Sequence, residues 1–330
     1  KKALRDITAK IEMMIDLKEG DVVLDIGSND GTLLRSYSVP GLITVGVEPA
    51  DNLVEEGKRD LTYHIHDFWY NEVFAKTVNQ KAKIITAIGM FYDMEDPNQF
   101  IADAAKALTE DGVFIAQLMC LKNMLDSNDV GNICHEHLEY YSFKSLEYLF
   151  NNNGLEIFDV EINEINGGSY RVYAKKIGTV SKKDYGSLEK VQAVRASEEF
   201  IDNKTVHIDF YNRLEENKRK CVDFIKKEVS KGKKVWVYGA STKGNVILQY
   251  YGLDHTLIEA AAERSHSKWG KYTVGTMIPC VSEEDARKAQ PDYFLVLPYA
   301  FFDEFYEREK DWREKGGRFI VPLPHFRVVS

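Results

Sequence analysis

The stretch Val22-Val23-Leu24-Asp25-Ile26-Gly27-Ser28-Asn29-Asp30-Gly31 decides the fold of this chain. A β-branched run ends in an Asp-x-Gly sequence and passes through polar residues into Thr32-Leu33-Leu34-Arg35. The run predicts a buried strand, and residues 32–35 predict the first turn of a helix. Glycines in such a corner let backbone N–H groups face a ligand. The stretch is therefore either a ligand-binding loop or an ordinary corner between a strand and a helix.

The acid at the end of this strand indicates which kind of ligand the loop could bind. Asp25 would repel a pyrophosphate, whereas its carboxylate can accept hydrogen bonds from a neutral or cationic group. The Gly-x-Gly-x-x-Gly spacing of dinucleotide-binding loops is absent. Both features favour S-adenosylmethionine (SAM), which carries an ammonium and a sulfonium and leaves S-adenosylhomocysteine as product. The candidate cofactor contacts in the loop are Asp25, Gly27, Ser28, Asn29 and Gly31.

Length and composition limit the classes of protein to which this chain can belong. A chain of 330 residues, 44% hydrophobic and 29% charged, is typical of a soluble protein with two domains. The net charge of −9 disfavours a nucleic-acid partner. Its four cysteines lie far apart, so we expect neither a disulfide frame nor a Cys-rich zinc site, and a cytoplasmic location. No apolar run approaches the roughly 20 residues of a membrane span, and no signal peptide is visible.

Strand and helix patterns alternate along the first half of the chain. Residues 3–16 predict an amphipathic helix, and the strands expected after the first one are 43–48, 63–68, 83–88 and 113–118. This alternation predicts a parallel sheet with helices on both faces. The turn Asn166-Gly167-Gly168 joins two further strand patterns in a hairpin, so one strand is reversed. This α/β arrangement is that of the class I SAM methyltransferases.

The second half of the chain predicts another Rossmann-like α/β unit. Residues 184–231 are charged and have helical periodicity, and they predict one long helix or two. A strand then begins near Val235, and later strands are expected at 257–262, 293–297 and 319–321. The predicted domains are therefore a methyltransferase domain at 1–180, a helical linker at 181–232 and a smaller Rossmann-like domain at 233–330.

Polar and aromatic residues follow the strands of the first sheet, where a doubly wound sheet binds its ligands. Glu48 ends the second strand and either accepts from both hydroxyls of an adenosine ribose or caps a helix. Asp67 can accept from the adenine amine, and the ring of Phe68 can stack on the base. Tyr92 follows the fourth strand and either donates to a substrate carbonyl or packs in the core.

The densest reactive cluster is Cys134-His135-Glu136-His137. Two imidazoles that flank a carboxylate offer a base that titrates near neutrality and a group that orients it. A metal site is an alternative, but His-x-His with one acid is a thin set of ligands. A polar structural loop is the other alternative. We therefore assign no metal and treat the cluster as a candidate base with its orienting group.

A second glycine loop, residues 239–245, follows the first strand of the smaller domain and contains no acid. Ser241, Lys243 and Asn245 lie at a predicted helix N-terminus, which attracts an anion such as a diphosphate. Glu263 ends the next strand and either repeats the ribose contact or is a solvated strand end. The turn at Gly168 could admit a bulky substrate or could be only a hairpin turn.

Together these residues resemble the SAM-dependent nucleotide-sugar C-methyltransferases of deoxysugar pathways, the deoxysugar 3-C-methyltransferases. The likeness spans nearly the whole chain. Members usually carry a four-Cys zinc domain ahead of the methyltransferase domain, and this chain begins after it, so we assign no zinc. The motifs are residues 24–33, Gly46-Val47-Glu48-Pro49, Cys134-His135-Glu136-His137, Gly167-Gly168-Ser169-Tyr170-Arg171 and residues 239–244.

The resemblance implies methylation at carbon 3 of a nucleoside-diphosphate (NDP) 4-keto-6-deoxy sugar. His137 would take the C3 proton with Glu136 assisting, while His135 and Tyr92 lie near the enolate oxygen. It also implies substrate contacts at Gly168, Ser169, Arg171, Ser241, Lys243, Asn245 and Glu263. An O- or N-methyltransferase for a similar sugar and a NAD-binding oxidoreductase remain alternatives. The nucleobase, the sugar and the oligomeric state stay open.

Overall fold

Two β-sheets organise the chain, one in each of two units. This computed structural model describes residues 2–179 and 188–330. Unit 1 comprises Lys1–Leu121 and Leu138–Phe200, and unit 2 comprises Lys122–His137 and Ile201–Ser330. The boundary predicted after residue 180 lies outside the described residues, so the predicted domain bounds stay a prediction.

The strands and helices are numbered here in chain order. The strands are β1 Val22–Ile26, β2 Ile43–Val47, β3 Tyr63–Ile65, β4 Ala82–Ile88, β5 Leu108–Met119, β6 Leu155–Asn163, β7 Ser169–Lys176, β8 Val235–Tyr238, β9 Ala261–Glu263, β10 Cys280–Ser282, β11 Tyr293–Val296, β12 Arg318–Val321 and β13 Arg327–Val329. The helices are α1 Lys2–Met14, α2 Val54–Gly57, α3 Asn71–Thr77, α4 Pro97–Ala107, α5 Leu121–Asp126, α6 Phe143–Asn152, α7 Leu188–Glu198, α8 Lys204–Ser230, α9 Thr242–Tyr251, α10 Glu283–Ala289, α11 Phe302–Arg308 and α12 Lys310–Glu314.

The sheet of unit 1 has the strand order β3-β2-β1-β4-β5-β7-β6 among the described residues. Strands β1 to β5 pair in parallel, whereas β7 is antiparallel to both β5 and β6. This confirms the predicted class I methyltransferase sheet with one reversed strand. In such a sheet the carboxyl ends of β1, β2 and β4 meet at one edge, which brings the predicted cofactor residues Asp25 and Glu48 to that edge.

Strand β1 is buried on both of its faces. Leu24 and Ile26 belong to one buried apolar cluster with Phe91. Val23 belongs to a second cluster, with Ile7 of α1. Because side chains alternate along a strand, Asp25 projects on the same face as Val23. The strand therefore carries its single carboxylate into the buried interior of unit 1.

The sheet of unit 2 has the order β10-β9-β8-β11-β12-β13 among the described residues. It is parallel except for β13, which pairs antiparallel to β12. This confirms the predicted second Rossmann-like unit, but the sequence analysis missed β10 and β13 and began the strand of β9 too early, at residue 257. Each of these strands spans only three residues, which is too short for a periodic pattern to form.

One local prediction is wrong, and one predicted hairpin has a longer turn than its two glycines suggested. The helix expected at residues 32–35 is only a 3₁₀ turn at Leu34–Ser36, because Pro40 and the serines that precede it disfavour a continuing helix. The turn around Gly167 is longer than a two-residue hairpin turn. It contains the 3₁₀ turn Ile165–Gly167, and Gly168 follows with a φ of 122° that favours glycine.

The segment Lys122–His137 groups with unit 2, although it lies between two elements of unit 1 in the sequence. Arg213 of α8 donates to Asn128 Oδ1 at 2.9 Å and to the Leu125 carbonyl at 2.9 Å. Asn128 donates in turn to the Pro324 carbonyl at 3.0 Å. The sequence analysis did not predict this grouping, because it depends on partners that are far away in the chain.

Among the residues that the structure describes, no helix combines the length and apolar character needed to cross a membrane.

The buried face of α6 provides a test of the packing in unit 1. Leu146 is 0% exposed and Tyr148, on the same helix, is 72% exposed. We expect Leu146→Ala to lower the free energy of unfolding by roughly 2–5 kcal/mol, because it leaves a cavity in the core. Tyr148→Ala is the matched control and should change it by about 0.5 kcal/mol or less. Thermal unfolding followed by circular dichroism measures both, and equal shifts would contradict the packing described here.

Candidate active site

The glycine loop after β1 turns tightly against the end of β2. The Gly27 N–H donates to the Val47 carbonyl at 2.9 Å, and Gly27 has a φ of 69° that favours glycine. A Cβ at Gly27 would lie 2.8 Å from Met90 Cγ, so the turn has no room for a side chain. Asn29 also has a positive φ, of 50°, which asparagine tolerates better than most residues. The loop thus exposes its backbone at the edge of the sheet.

The Glu48 side chain holds this loop at the end of β2 through hydrogen bonds. Its side chain is only 8% exposed. One carboxylate oxygen accepts from the Asn29 N–H at 2.9 Å, and the other accepts from the Ala50 N–H at 3.0 Å. A carboxylate has about four acceptor positions, so these two bonds leave about two for a ligand. Glu48 is therefore placed to accept a pair of hydroxyl groups.

Asp25 is a buried acid beside Thr86 on the neighbouring strand β4. The Thr86 hydroxyl donates to Asp25 Oδ1 at 2.6 Å. Burial raises the pKa of the Asp25 carboxyl to about 7, although the Thr86 hydrogen bond opposes this and the nearby Glu48 charge adds to it. At neutral pH the group is therefore poised to ionise. A cationic ligand group beside it would favour the ionised form.

These residues fit the group that the sequence analysis predicts for the loop. The hydroxyl oxygen of Ser28 is buried and accepts or donates no hydrogen bond within residues 2–179 and 188–330. A Cβ at Gly46 would come within 2.7 Å of that oxygen, so a side chain there would displace the Ser28 hydroxyl. Gly31 closes the loop with a φ of 74°. Asp25 suits a cationic amino-acid end, and Glu48 suits a ribose, which together match SAM.

Asp67 and Phe68 follow β3 at the same edge of the sheet. Asp67 Oδ1 accepts from the Phe68 N–H at 2.7 Å, which leaves its other oxygen for a different donor. The Phe68 ring is 68% exposed. A large exposed ring at a ligand edge is available for stacking on a flat heterocycle. Their contact with adenine stays a prediction.

Tyr92 lies in the 3₁₀ turn Phe91–Asp93, directly after β4. Its hydroxyl donates to the Gly89 carbonyl at 2.8 Å. Its own carbonyl accepts from the N–H groups of Leu138 and Glu139, at 3.0 and 3.1 Å. The protein thus orients the Tyr92 phenol. To donate to a substrate carbonyl, the hydroxyl would have to give up its hydrogen bond to the Gly89 carbonyl.

Arg171 belongs to a buried polar network of unit 1. It is only 4% exposed, and its Nε donates to Gln117 at 2.9 Å. Its Nη1 contacts Asp6 at 3.2 Å and Glu161 at 3.3 Å. These partners lie on α1, β5 and β6, so the guanidinium holds the reversed end of the sheet to α1. The predicted contact of Arg171 with substrate stays a prediction.

The loop before β7 carries the other predicted contacts of this region. Gly168 accepts through its carbonyl from the Cys120 N–H at 3.1 Å. The buried Ser169 hydroxyl donates to the Ile165 carbonyl at 2.8 Å. Both groups therefore stabilise the loop itself, and their contact with substrate also stays a prediction.

A cavity of about 580 Å³ lies within unit 2. Aromatic and aliphatic side chains form most of its wall, and part of the His-Glu-His cluster lies in the wall. The Asn245 side-chain oxygen is buried and accepts no hydrogen bond from the described part of the chain. Such a site suits a ligand with both flat and polar parts. The lining residues that matter here are Cys134, His135, Glu136, Tyr211, Asn245 and Tyr250.

His137 is the most firmly oriented member of the cluster. Its Nδ1 lies 2.7 Å from the Asn132 carbonyl oxygen. Because a carbonyl only accepts, Nδ1 must carry the proton, and Nε2 is then the basic nitrogen. By contrast, the His135 side chain is 91% exposed, with its Nε2 4.0 Å from Glu136 Oε1. His137 itself is not part of the cavity wall formed by the described residues.

Asp129 supports the segment that carries His137, and the sequence analysis missed it. It is only 2% exposed, and one of its oxygens accepts from the Asn132 side chain at 2.8 Å and from Lys243 Nζ at 3.2 Å. Gly131 packs so closely on α9 that a Cβ there would lie 2.9 Å from Lys243 Cβ. Lys243, predicted to bind a diphosphate, is thus paired with a buried carboxylate. Only the run of polar residues at 127–129 hinted at this role.

The second glycine loop begins α9. Ser241 caps the helix by accepting from the Gly244 N–H at 3.0 Å. Glu263, at the end of β9, accepts from the N–H groups of Ala240 and Ser265, both at 3.0 Å. Ser241 and Glu263 line a separate cavity of about 290 Å³ within unit 2. The described residues contain no group of three His, Cys, Asp or Glu side chains arranged to hold a metal ion.

Comparison with known proteins places these features in context. A family described as "Methyltransferase domain" matches residues 1–160, and a family described as "C-methyltransferase C-terminal domain" matches residues 164–324. The chain is 31% identical over 318 residues to C-methyltransferase NovU of Streptomyces niveus. That match covers 96% of this chain and 75% of the relative.

Solved structures of methyltransferases resemble about half of the chain. A SAM-dependent methyltransferase of Clostridium acetobutylicum is 16% identical with a TM-score of 0.43, covering 54% of this chain and 92% of that one. The mitomycin 7-O-methyltransferase MmcR is 16% identical with a TM-score of 0.42, covering 53% of this chain and 54% of that one.

The raised pKa of Asp25 predicts a pH dependence of stability in the ligand-free protein. Between its ordinary pKa of 3.8 and about 7, the unfolded chain loses this proton while the folded chain keeps it. Stability should therefore fall as pH rises through this window, by roughly 4 kcal/mol in total. Asp25→Asn removes the ionisation and should remove this fall. The measurement is the thermal midpoint of both proteins between pH 4 and pH 8.

Asp67→Asn is the matched control, because that side chain is exposed at the same sheet edge. The thermal midpoint of Asp67→Asn should change with pH in the same way as that of the wild type between pH 4 and pH 8. If the Asp25→Asn midpoint also ran parallel, Asp25 would be ionised in the folded chain and its assignment as a poised acid would be wrong.

Proposed function

The chain belongs to the family of SAM-dependent C-methyltransferases, and we propose that its acceptor is carbon 3 of an NDP-4-keto-6-deoxy sugar. The observation that carries this proposal is the 2.7 Å contact between His137 Nδ1 and the Asn132 carbonyl, which puts the proton of a neutral imidazole on Nδ1 and so supports Nε2 as the base. Carbon methylation next to a ketone needs such a base, since the attacking carbon must first lose a proton. Methylation of a hydroxyl oxygen or an amine needs no carbon acid.

SAM supplies an electrophilic methyl group when it is bound. Asp25, ionised by a neighbouring cation, would hold its ammonium end. The two acceptor positions left on Glu48 would take the ribose hydroxyls, and Gly27, Ser28, Asn29 and Gly31 would line the turn. Asp67 and Phe68 would contact adenine by hydrogen bonding and stacking.

The proton at carbon 3 would pass to His137 Nε2. Loss of Nδ1–H is resisted by its bond to the Asn132 carbonyl, so the imidazolium formed would keep its orientation. The buried Asp129 fixes Asn132 and so supports the base through a second contact. Glu136 would assist by stabilising the positive charge that forms on His137.

The enolate oxygen formed at carbon 4 needs a hydrogen-bond donor. Tyr92 and His135 are the candidates. Leu138 follows His137 in the chain, and its N–H bonds to the Tyr92 carbonyl. This bond holds Tyr92 to the segment of unit 1 that follows the predicted base.

The nucleotide part of the substrate would bind unit 2. Ser241, at the N-terminus of α9, and Asn245, with its buried acceptor oxygen, support this proposal. Lys243 is already paired with Asp129, so it contributes positive charge rather than an uncommitted ammonium. The proposed substrate contacts at Gly168, Ser169 and Arg171 have less support, because the polar groups of these residues already form hydrogen bonds within the protein.

Hydrogen exchange at carbon 3 tests the reaction class. In deuterated water without SAM, the wild-type protein should replace the C3 hydrogen of an NDP-4-keto-6-deoxy hexose with deuterium, and mass spectrometry measures the gain. A panel of uridine, guanosine, cytidine and thymidine sugars covers the nucleobase. Methyl transfer to a sugar hydroxyl or amine without C3 exchange would overturn the proposal in favour of an O- or N-methyltransferase. Absorbance at 340 nm would reveal nicotinamide chemistry.

His137→Ala should abolish both C3 exchange and C-methylation, with a loss of at least about 10²-fold in rate, because the base is removed. Binding of S-adenosylhomocysteine, measured by calorimetry, should stay within about twofold of the wild type. Added imidazole should restore part of the exchange. His255→Ala is the control, since that histidine is an exposed residue of unit 2. Near wild-type exchange in His137→Ala would remove His137 as the base.

A further inference from the structure

The Arg35 side chain bonds to three backbone carbonyls of unit 1. Its Nη1 donates to the Arg59 carbonyl at 2.9 Å and to the Glu56 carbonyl at 3.4 Å, and its Nη2 donates to the Asp30 carbonyl. A guanidinium carries five N–H groups in one rigid plane. It can therefore bridge acceptors that belong to different segments of the chain.

The three carbonyls lie in two separate segments. Asp30 belongs to the glycine loop after β1, whereas Glu56 lies in α2 and Arg59 follows its end. The last carbonyls of a helix have no partner inside the helix, and a basic side chain can satisfy them. Arg35 therefore joins the glycine loop after β1 to the short helix that follows Glu48.

Two glycines leave room for this bridge. A Cβ at Gly31 would lie 2.8 Å from Arg35 Nη1 and 3.1 Å from the Gly57 carbonyl oxygen. A Cβ at Gly57 would lie 3.1 Å from the Asn29 carbonyl oxygen. The loop and the end of α2 therefore pack backbone against backbone, and the guanidinium lies where Gly31 has no side chain.

Arg35 and Glu48 hold neighbouring residues of the loop with opposite charges. Glu48 accepts from the Asn29 N–H at 2.9 Å, and Arg35 donates to the Asp30 carbonyl. Asn29 has a φ of 50°, a conformation that a residue other than glycine keeps where its surroundings fix it. Glu48 fixes the N–H at one end of this pair of residues, and Arg35 fixes the carbonyl at the other end.

We propose that Arg35 is a positioning residue for SAM. It acts through the Asp30 carbonyl and keeps Asn29 and Gly31 in the conformation in which the loop binds the cofactor. A loop that already has its bound conformation loses less conformational freedom when the ligand binds, so the affinity is higher. That this loop holds SAM rests on the proposed function, whereas the hydrogen bonds of the guanidinium do not.

Calorimetry with S-adenosylhomocysteine tests this role in a matched pair of arginine variants. Arg35→Ala should weaken binding at least about tenfold, because the charged donor to the loop is lost. Arg59→Ala is the control, since the exposed Arg59 side chain pairs with Glu56 and Asp60 while its carbonyl still accepts from Arg35. Its affinity should stay within about twofold of the wild type. Wild-type affinity in Arg35→Ala, or equal weakening in both variants, would refute the proposal.

Amide hydrogen exchange, followed by mass spectrometry, tests the conformation of the loop without any ligand. In Arg35→Ala the peptide that contains residues 27–31 should exchange faster than in the wild type, because the loop opens more often. A peptide from the buried strand β5 should exchange as before, and both peptides should be unchanged in Arg59→Ala. Unchanged exchange at residues 27–31 in Arg35→Ala would contradict the proposal.

Arg35→Lys guards against a folding defect in Arg35→Ala, because lysine keeps the charge and the aliphatic stem. A single ammonium cannot bridge the two segments as the planar guanidinium does. S-adenosylhomocysteine should therefore still bind several-fold more weakly, with a thermal midpoint close to that of the wild type. Wild-type affinity in Arg35→Lys would show that charge alone suffices and would overturn the bridge.

Kinetics separate the role of Arg35 from the proposed reaction. Arg35→Ala should raise the KM for SAM at least about tenfold and keep the KM for the NDP sugar within about twofold. Exchange at carbon 3 needs no SAM, so it should also persist in this variant. Loss of that exchange in Arg35→Ala alone would assign Arg35 a general structural role and contradict the proposal. Absence of exchange in the wild type would overturn the proposed acceptor but leave the calorimetric result valid, so the two failures are distinguishable.

Discussion

A buried carboxylate that accepts two backbone N–H groups is the constraint on which the first site depends. Burying a charge is costly unless hydrogen bonds replace the lost water, and Glu48 receives them from Asn29 and Ala50. The bond to Asn29 ties a loop that has positive φ at Gly27, Asn29 and Gly31 to the end of β2. The same side chain thus shapes the loop and still has about two acceptor positions that no backbone donor occupies.

Unit 2 contains a second buried carboxylate, which supports the segment that carries His137. Asp129 is buried, and it bonds to the side chains of Asn132 and Lys243. The Asn132 carbonyl then accepts from His137, which fixes the tautomer of the imidazole. A buried carboxylate therefore helps to orient the His137 ring through Asn132. Polar groups that the protein orients in advance need not be reoriented during a reaction.

The order of apolar and polar residues along the chain predicted the two sheets and the acids that end their strands. Such patterns could be used because they depend only on residues that are neighbours in the sequence. Glu48 and Glu263 could be identified from position alone. Contacts between distant residues could not be predicted. No local pattern around Arg171 indicated that Asp6, Gln117 and Glu161 bond to its guanidinium. None around Lys243 indicated that the buried Asp129 pairs with it. Thr86 was indistinguishable from the β-branched residues around it, although its hydroxyl bonds to Asp25.

The path of the backbone between the units limits how the chain can be divided. It leaves unit 1 after Leu121, returns at Leu138 and leaves again after Phe200. A single proteolytic cut can therefore liberate neither half intact. A fragment that starts at residue 201 would lack Asp129 and leave the ammonium of Lys243 without that carboxylate. To express unit 2 alone, residues 122–137 would have to be joined to the carboxyl-terminal fragment. To exchange unit 2 with that of a relative, the same short insertion would have to be exchanged as well.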